Sequence, residues 1–256
     1  ALVQDDDTFD TWFSSGQWPF ATLQSLGEEN FYPTTVMETG YDILRWWVAR
    51  MVMLGIYRTK KVPFKHIVLH GLVNDPLGKK MSKSKGNVVN PMELVDEYGA
   101  DSIRFALVYG TALGNDQVLS YPKLEAMKRF SNKLWNIGRF ILEFKPEDSK
   151  TEISDNADDK EIIEKLNETI QKVSRSIDNY EFHFAADALY DFVWHEFADK
   201  YVEKTKERRA EAQPTLEHVY VTCLKLLHPF IPFITEEIYG KFKKDEALIV
   251  SPWPTV

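Results

Sequence analysis

The chain has 256 residues and a formal net charge of −8 at pH 7, from 31 basic and 39 acidic residues. This length is enough to build one large domain or two modest ones. No apolar run approaches the roughly 20 residues that span a bilayer, which argues against a membrane-spanning class. The single cysteine, Cys223, excludes an internal disulfide framework and a cysteine metal cluster, and its apolar neighbours predict a buried core residue. We expect a cytoplasmic globular protein.

The first part of the chain, residues 1–118, alternates short apolar runs with helical patterns. The short apolar runs predict strands of the kind found in parallel sheets. Asp42 precedes an apolar-periodic segment and can cap a helix there, while Pro91 is typical of a first helical position. Strands that alternate with helices predict part of an open α/β sheet. The predicted elements are strands at 36–39 and 67–70, and helices at 43–56 and after Pro91.

From Tyr121 onward the pattern becomes helical. A polar and acidic stretch at 145–160 predicts a loop between helices. The second part of the chain is therefore predicted to be a helical bundle. Its further helices are predicted at 160–178, 184–209, 214–228 and 232–242. Apolar residues recur at a three-to-four spacing along its first helix, at Leu124, Met127, Phe130, Leu134, Ile137 and Ile141.

The segment from Lys79 to Asn87, which we call the lysine loop, places four lysines within seven positions of an acidic chain. Like charges at this density repel one another, so a bound polyanion would stabilise the segment. A predicted strand, a glycine-bounded loop and a helix start follow one another here, which is a phosphate-binding arrangement. The residues alone leave a second interpretation open, namely a solvated loop that binds nothing.

Within the lysine loop, residues 80–84 read Lys-Met-Ser-Lys-Ser, and this run resembles the signature of the class I aminoacyl-tRNA synthetases. The pentapeptide identifies only the class. Further blocks in the same order and spacing resemble the valyl branch of that family, and together they cover nearly the whole chain. These blocks are residues 10–15, 39–44, 70–73, 99–105, 132–136 and 227–237.

The resemblance implies a fold and a function. Residues 1–118 would be the C-terminal part of a Rossmann-like catalytic domain, and residues 119–256 a helical anticodon-binding domain. The family activates an amino acid with ATP and transfers it to tRNA, so valine, ATP and tRNA(Val) are the expected partners. The sequence shows neither a His-Ile-Gly-His-type signature nor an editing domain. We therefore expect a C-terminal fragment of a longer enzyme, inactive when isolated.

The resemblance also implies roles for individual residues. Magnesium would arrive with ATP as substrate, and no protein-bound metal is expected. Asp5-Asp6-Asp7 is predicted to be a solvated turn, because three successive carboxylates cannot all face one ion. The implied catalytic residues are Lys80 and Lys83. The implied ATP-binding residues are Lys80, Met81, Ser82, Lys83, Ser84, Gly40, Asp42, His70 and Gly71. The implied amino-acid pocket is formed by Trp12, Asp42 and Ile43.

Several of these residues have structural alternatives that the sequence leaves open. Asp42 can serve as a helix cap, His70 as a structural strand residue, and Trp12 as ordinary core. A basic face on the helix after Tyr121 can contact tRNA, or it can be a solvated surface opposite the apolar stripe. The residues of this face are Arg129, Asn132, Lys133, Asn136 and Arg139.

Two other functions fit the same blocks. One is a non-catalytic tRNA-binding protein derived from a synthetase. The other is a sister synthetase for another aliphatic amino acid. Neither interpretation, nor the leading one, involves DNA or a membrane.

Overall fold

The computed structural model describes residues 3–144 and 154–256. The chain divides into two compact units, which we call the strand unit and the helical unit. The strand unit comprises Ala1–Asn74 with Leu113–Gln117, and the helical unit comprises Asp75–Ala112 with Val118–Val256. The lysine loop thus belongs to the helical unit.

The strand unit is built on two parallel strands. β1 (Thr34–Gly40) pairs with β2 (Phe64–His70), in a register that sets Gly40 beside His70. Both strands contain the predicted segments, and the prediction of an α/β region is confirmed. The helices of this unit are α1 (Thr11–Ser15), α2 (Trp18–Leu26) and α3 (Ala49–Thr59). A second short ladder joins β3 (Val73–Asn74) to β4 (Gln117–Val118), where the Gln117 N–H donates to the Leu72 carbonyl.

The helix predicted at 43–56 begins irregularly. A 3₁₀ turn at Tyr41–Ile43 and a π-helical segment at Leu44–Val48 lead into α3. Gly40, not Asp42, holds the N-cap position, and no side chain caps this start. The capping interpretation of Asp42 is therefore wrong. The helix ends at Thr59 because Lys60 takes a left-handed backbone with φ of 63°.

The helical unit confirms the predicted all-α second part. The helix predicted at 184–209 is present, but its middle part, Phe192–Val202, is π-helical. Of the loop predicted at 145–160, the last four residues belong to a helix that begins at Ala157, and residues 145–153 lie outside the described chain. The helices are α4 (Pro91–Tyr98), α5 (Ala100–Val108), α6 (Tyr121–Glu143), α7 (Ala157–Asp178), α8 (Phe182–Asp191), α9 (Glu203–Thr205), α10 (Arg209–Leu227) and α11 (Pro232–Phe242).

The core of the helical unit follows the predicted periodicity. All six apolar residues of the stripe on α6 are buried, as is Cys223 on α10. Helix α10 starts at Arg209, before the predicted position 214, and Pro214 lies inside it. The stripe was predictable because a helix of this length must bury one apolar face to be stable in water.

Two side chains of helix α5 form hydrogen bonds with the backbone around the start of α11. The Asp101 carboxylate accepts from the backbone N–H groups of Ile234 at 2.7 Å and Phe233 at 3.4 Å, which satisfies the first turn of α11. The Arg104 guanidinium donates to the carbonyls of Phe230 at 3.1 Å and Pro229 at 3.4 Å. Two of the sequence blocks named above, 99–105 and 227–237, are therefore in direct contact.

His228 lies in the turn before α11, with its side chain 14% exposed. Its Nδ1 is 2.9 Å from the Thr235 hydroxyl, and its Nε2 is 3.8 Å from the Glu236 carboxylate. Burial lowers the pKa of His228, although the nearby charges of Glu236 and Asp101 act in the opposite direction. The folded state consequently resists protonation of this ring.

We expect His228 to make the helical unit less stable in acid. The pKa of His228 is lower in the folded state than the 6.5 of a free imidazole, so its stabilising effect is present above pH 6.5 and is lost as the pH falls through the folded pKa. The slope contributed by one such proton is at most about 1.4 kcal/mol per pH unit. His228→Gln should flatten the pH dependence of the free energy of unfolding, measured by urea denaturation between about pH 5 and 8. His195→Gln, at a side chain 54% exposed, is the control. If His195→Gln flattened the pH dependence of the free energy of unfolding and His228→Gln did not, the role assigned to His228 would be wrong.

Candidate functional site

The candidate site in the strand unit lies at the carboxyl ends of β1 and β2. Open α/β sheets bind ligands at this edge. Gly40 and His70 are paired there, and a Cβ placed on Gly40 would lie 3.5 Å from His70 Cε1 and 2.9 Å from an oxygen of Asp42. The structure thus brings together three of the residues predicted to bind ATP. Only a glycine leaves the edge open between the histidine ring and the carboxylate.

Both ring nitrogens of His70 face oxygen atoms. Nδ1 is 2.7 Å from the carbonyl of Gly71, and Nε2 is 3.3 Å from the Glu38 carboxylate. The ring is nonetheless half-exposed, with 46% of the side chain accessible. His70 therefore has a structural role at the strand end, while about half of its side chain stays accessible to solvent.

Gly71 permits a close backbone approach. A Cβ at this position would overlap the carbonyl group of Asn115 and would come within 2.6 Å of the Asp116 nitrogen. Any side chain at residue 71 would therefore displace the segment 113–117. This explains in physical terms why the chain has glycine immediately after β2.

Asp116 joins the ends of the two strands. Its carboxylate accepts from the Leu72 backbone N–H at 2.7 Å and from the Tyr41 hydroxyl at 3.2 Å. The bond to this carboxylate raises the pKa of Tyr41. Asp116 was not predicted from the sequence, since it belongs to no recognised block. The one signal was its position in a short polar loop, Gly114-Asn115-Asp116, in which Gly114 has a left-handed φ of 79°.

The residues predicted for the amino-acid pocket are only partly brought together. Trp12 and Ile43 are half-buried, whereas Asp42 is exposed. The Trp47 indole donates to the Ser15 carbonyl at 3.1 Å, which ties α1 to the segment that follows Ile43. Asp42 lines a groove of about 680 Å³, but neither Trp12 nor Ile43 does. The other side chains of this groove are those of Tyr41, Leu44, Arg45, Trp46, Val48, Ala49, Val52, Met53 and Ile67.

The lysine loop presents its charges to solvent. Lys80, Lys83 and Ser84 are exposed, while Met81 and Ser82 are half-buried. The two serine hydroxyl oxygens are 3.3 Å apart. A 3₁₀ turn covers Lys83–Lys85 and ends at Gly86, whose φ of 65° favours glycine. The helix predicted after the loop is confirmed: the Asn90 side chain accepts from the Met92 N–H, and Pro91 is the first residue of α4.

The predicted RNA-binding residues form one stripe on α6. Arg129, Asn132, Asn136 and Arg139 are exposed, and Lys133 is half-buried. Each cation of the stripe has a carboxylate partner, so the surface is balanced in charge. Such exposed pairs contribute about 0–1 kcal/mol each and can exchange partners readily. The pairs are Arg129–Glu125 at 3.2 Å, Lys133–Asp199 at 2.8 Å and Arg139–Glu143 at 3.2 Å.

Within residues 3–144 and 154–256, no group of three or more His, Cys, Asp or Glu side chains is arranged to hold a metal ion. The Asp5 carboxylate instead accepts from the Asp7 backbone N–H at 3.0 Å. Among the helices of the described residues, none combines the length and apolar character that crossing a membrane requires.

Family models match both parts of the chain. Residues 1–120 match the family model "tRNA synthetases class I (I, L, M and V)", and residues 159–256 match "Anticodon-binding domain of tRNA ligase". The chain is thus similar to the class I tRNA synthetases in its first part and to the anticodon-binding domain of tRNA ligases in its second.

Among curated proteins, the chain is similar over nearly its whole length to valine–tRNA ligases. The enzyme of Dehalococcoides mccartyi strain CBDB1 is 44% identical over 99% of this chain and 31% of the relative. The enzyme of Carboxydothermus hydrogenoformans is 46% identical over 98% of this chain and 30% of the relative. The chain therefore spans about a third of the length of these relatives.

Solved structures show the same fold. The ternary complex of Agrobacterium radiobacter K84 agnB2 LeuRS with tRNA and LeuAMS superposes with a TM-score of 0.83, at 23% identity, over 99% of this chain and 33% of that one. Methionyl-tRNA synthetase of Mycobacterium tuberculosis in complex with methionyl-adenylate gives a TM-score of 0.68 at 23% identity, over 86% of this chain and 46% of that one.

We expect Gly71→Ala to disrupt the packing of the segment 113–117 against the end of β2. The added methyl group would collide with the Asn115 backbone, and overpacking of this kind destabilises by about 3 kcal/mol. Amide hydrogen exchange should show reduced protection at Leu72 and Gln117, whose N–H groups bond within this contact.

The matched control is Gly240→Ala in α11, where a Cβ meets nothing within 4 Å. It should leave both amides protected and stabilise its helix by about 0.5–1 kcal/mol. Unchanged protection in Gly71→Ala would refute the close approach as the reason for glycine at this position.

Proposed function

We propose that this chain is the part of a valine–tRNA ligase that carries the lysine loop and the anticodon-binding helices. The full-length protein would activate valine with ATP and transfer the valyl group to tRNA(Val). The observation that carries the proposal is the lysine loop, which has the class I Lys-Met-Ser-Lys-Ser sequence in a chain 44% identical to a valine–tRNA ligase. The isolated chain would not activate valine.

In the proposed reaction the valine carboxylate attacks the α-phosphate of ATP, and pyrophosphate leaves. No covalent nucleophile from the protein is needed, so catalysis consists of positioning and electrostatic stabilisation. Lys80 and Lys83 would neutralise the charge that develops on the phosphates, since lysine is a point charge on a flexible stem. Met81, Ser82 and Ser84 would complete the phosphate-binding segment, with both hydroxyl groups available as donors. Magnesium would enter with ATP.

The strand-end residues would hold the adenylate. Gly40 adds no side chain at the end of β1, so a ligand would approach the backbone closely there, while Gly71 would border the ATP site with the Asn115 backbone packed against it. The exposed carboxylate of Asp42 would accept from a ribose hydroxyl or from the valine ammonium group. His70 would contribute its half-exposed ring.

The amino-acid pocket would use apolar walls from Trp12 and Ile43. Both side chains are half-buried, so each keeps part of its surface accessible. The domain division proposed from the sequence, 1–118 and 119–256, is supported by the family match that ends at residue 120. We propose the cytoplasm as the compartment.

The α6 stripe would contact tRNA. Phosphate oxygens would replace Glu125 and Glu143 as partners of Arg129 and Arg139, which is feasible because both exposed pairs are weak. The exposed amides of Asn132 and Asn136 would serve riboses or bases, and Lys133 would contribute a further cation.

We expect Lys83→Ala to reduce valine activation in the full-length protein. Valine-dependent ATP–pyrophosphate exchange should fall by about 10²–10³-fold, equivalent to roughly 3–4 kcal/mol of transition-state stabilisation. Lys85→Ala, an exposed lysine of the same loop outside the pentapeptide, is the control and should have a much smaller effect. The same exchange assay on the unmodified protein, with isoleucine in place of valine, tests whether the protein is a sister synthetase for another aliphatic amino acid. If Lys83→Ala reduced tRNA binding as strongly as exchange, the phosphate role would be wrong.

We expect the double variant Arg129→Ala/Arg139→Ala to weaken tRNA binding by the 256-residue chain. In filter binding, the slope of log K against log salt should fall by about one for each phosphate that the variant no longer neutralises. The control is Lys160→Ala/Lys172→Ala, which removes two exposed cations from α7. Equally weakened binding in the two double variants would indicate nonspecific attraction and would count against the α6 stripe.

A further inference from the structure

The base of the lysine loop is organised by a buried carboxylate. Asp75 is 6% exposed. Its Oδ1 accepts from the backbone N–H groups of Lys79 at 2.8 Å and Leu77 at 3.0 Å. Its backbone N–H also donates to the Lys79 carbonyl at 2.9 Å. The chain that enters the loop is therefore folded tightly around Asp75.

At the other end of the loop, the Asn87 side chain also forms hydrogen bonds with the loop backbone. Its Nδ2 donates to Asp75 Oδ2 at 2.8 Å and to the Lys80 carbonyl at 3.3 Å. Its Oδ1 accepts from the Ser82 backbone N–H at 3.0 Å. One side chain thus fixes the backbone on both sides of Met81 and connects it to the entrance of the loop.

The direction of the Asn87 amide follows from the chemistry of its partner. An ionised carboxylate can only accept hydrogen bonds, so the NH₂ group of Asn87 must face Asp75. The oxygen of Asn87 is then left to face Ser82. The bond from Asn87 holds the pKa of Asp75 below its usual range, as do the backbone bonds, so the carboxylate is ionised at neutral pH.

We propose that Asp75 and Asn87 are positioning residues for amino-acid activation: the carboxylate orients the amide, and the amide fixes the backbone from Lys80 to Ser82 from which the phosphate-binding lysines extend. This inference rests on the proposed function. Neither residue touches the reacting atoms. Their effect is on the starting position of Lys80 and Lys83, and a misplacement of about 1 Å in such groups can reduce a rate about 10²-fold.

A reciprocal exchange of the two side chains tests the pair. In the double variant Asp75→Asn/Asn87→Asp, the amide at 75 still accepts from Leu77 and Lys79 and donates to the carboxylate at 87, which still accepts from Ser82. The bond to the Lys80 carbonyl is lost, because the carboxylate oxygen that replaces Asn87 Nδ2 can only accept, so the recovery is expected to be incomplete. The single variant Asn87→Asp instead sets two carboxylates against each other.

In the full-length protein, Asn87→Asp should lower the kcat of valine-dependent ATP–pyrophosphate exchange by about 10²-fold. The KM for valine should stay within about twofold, because the proposed valine-binding residues belong to the strand unit. The double variant should recover most of the missing kcat. A residue that merely stabilised the fold would not separate kcat from KM in this way.

Amide hydrogen exchange of Ser82 in the 256-residue chain gives an independent readout. Protection should disappear in Asn87→Asp and return in the double variant. If Asn87→Asp unfolds the chain, Asn87→Ser, whose side chain is too short to span the loop, replaces it.

The two possible failures are distinguishable. Unprotected Ser82 with kcat unchanged overturns the positioning role, and so does a double variant that restores protection without restoring kcat. A wild-type full-length protein without valine-dependent exchange would overturn the proposed function and the positioning role together, while the Ser82 amide would still decide whether the Asp75–Asn87 contact holds the loop.

Discussion

The close approach of the Asn115 backbone to Gly71 is the contact on which the strand-end site depends. The carbonyl of Asn115 occupies the space of a side chain at residue 71, and this brings Asp116 to the ends of both strands. Gly40 and His70 are then held side by side by the parallel register of β1 and β2. Glycine at the end of β1 leaves the space beside His70 free of a side chain, and glycine directly after β2 leaves room for the Asn115 backbone.

The carboxylates near the α6 stripe and near the lysine loop have different partners. On α6, the cations face carboxylates of the same surface, at distances of 2.8 to 3.2 Å, so tRNA would have to compete for them. At the lysine loop, the buried carboxylate of Asp75 is directed at backbone N–H groups and at Asn87. Its negative charge therefore serves the geometry of the loop, while Lys80 and Lys83 remain at the solvent-exposed surface.

Local features of this chain were predictable from the sequence, whereas long-range contacts were not. The α6 stripe, the strands at 36–39 and 67–70 and the start of α4 at Pro91 depend on spacing and capping within a few residues. By contrast, Asp116 acts on Leu72 across 44 positions, and Asp101 acts on Phe233 across 132. No local pattern marks such partners. The π-helical segments were not predicted either, because their sequences have the same pattern as an ordinary α-helix. The lysine loop was recognisable as a motif, but its Asp75–Asn87 anchor became visible only in three dimensions.

The most direct measurement of the central claim is a crystal structure of the full-length protein with a non-hydrolysable valyl-adenylate analogue. We predict that the adenylate lies at the carboxyl ends of β1 and β2, in contact with Gly40 and His70, with the valyl ammonium group near Asp42. An analogue bound without contact to either Gly40 or His70 would contradict this placement of the site.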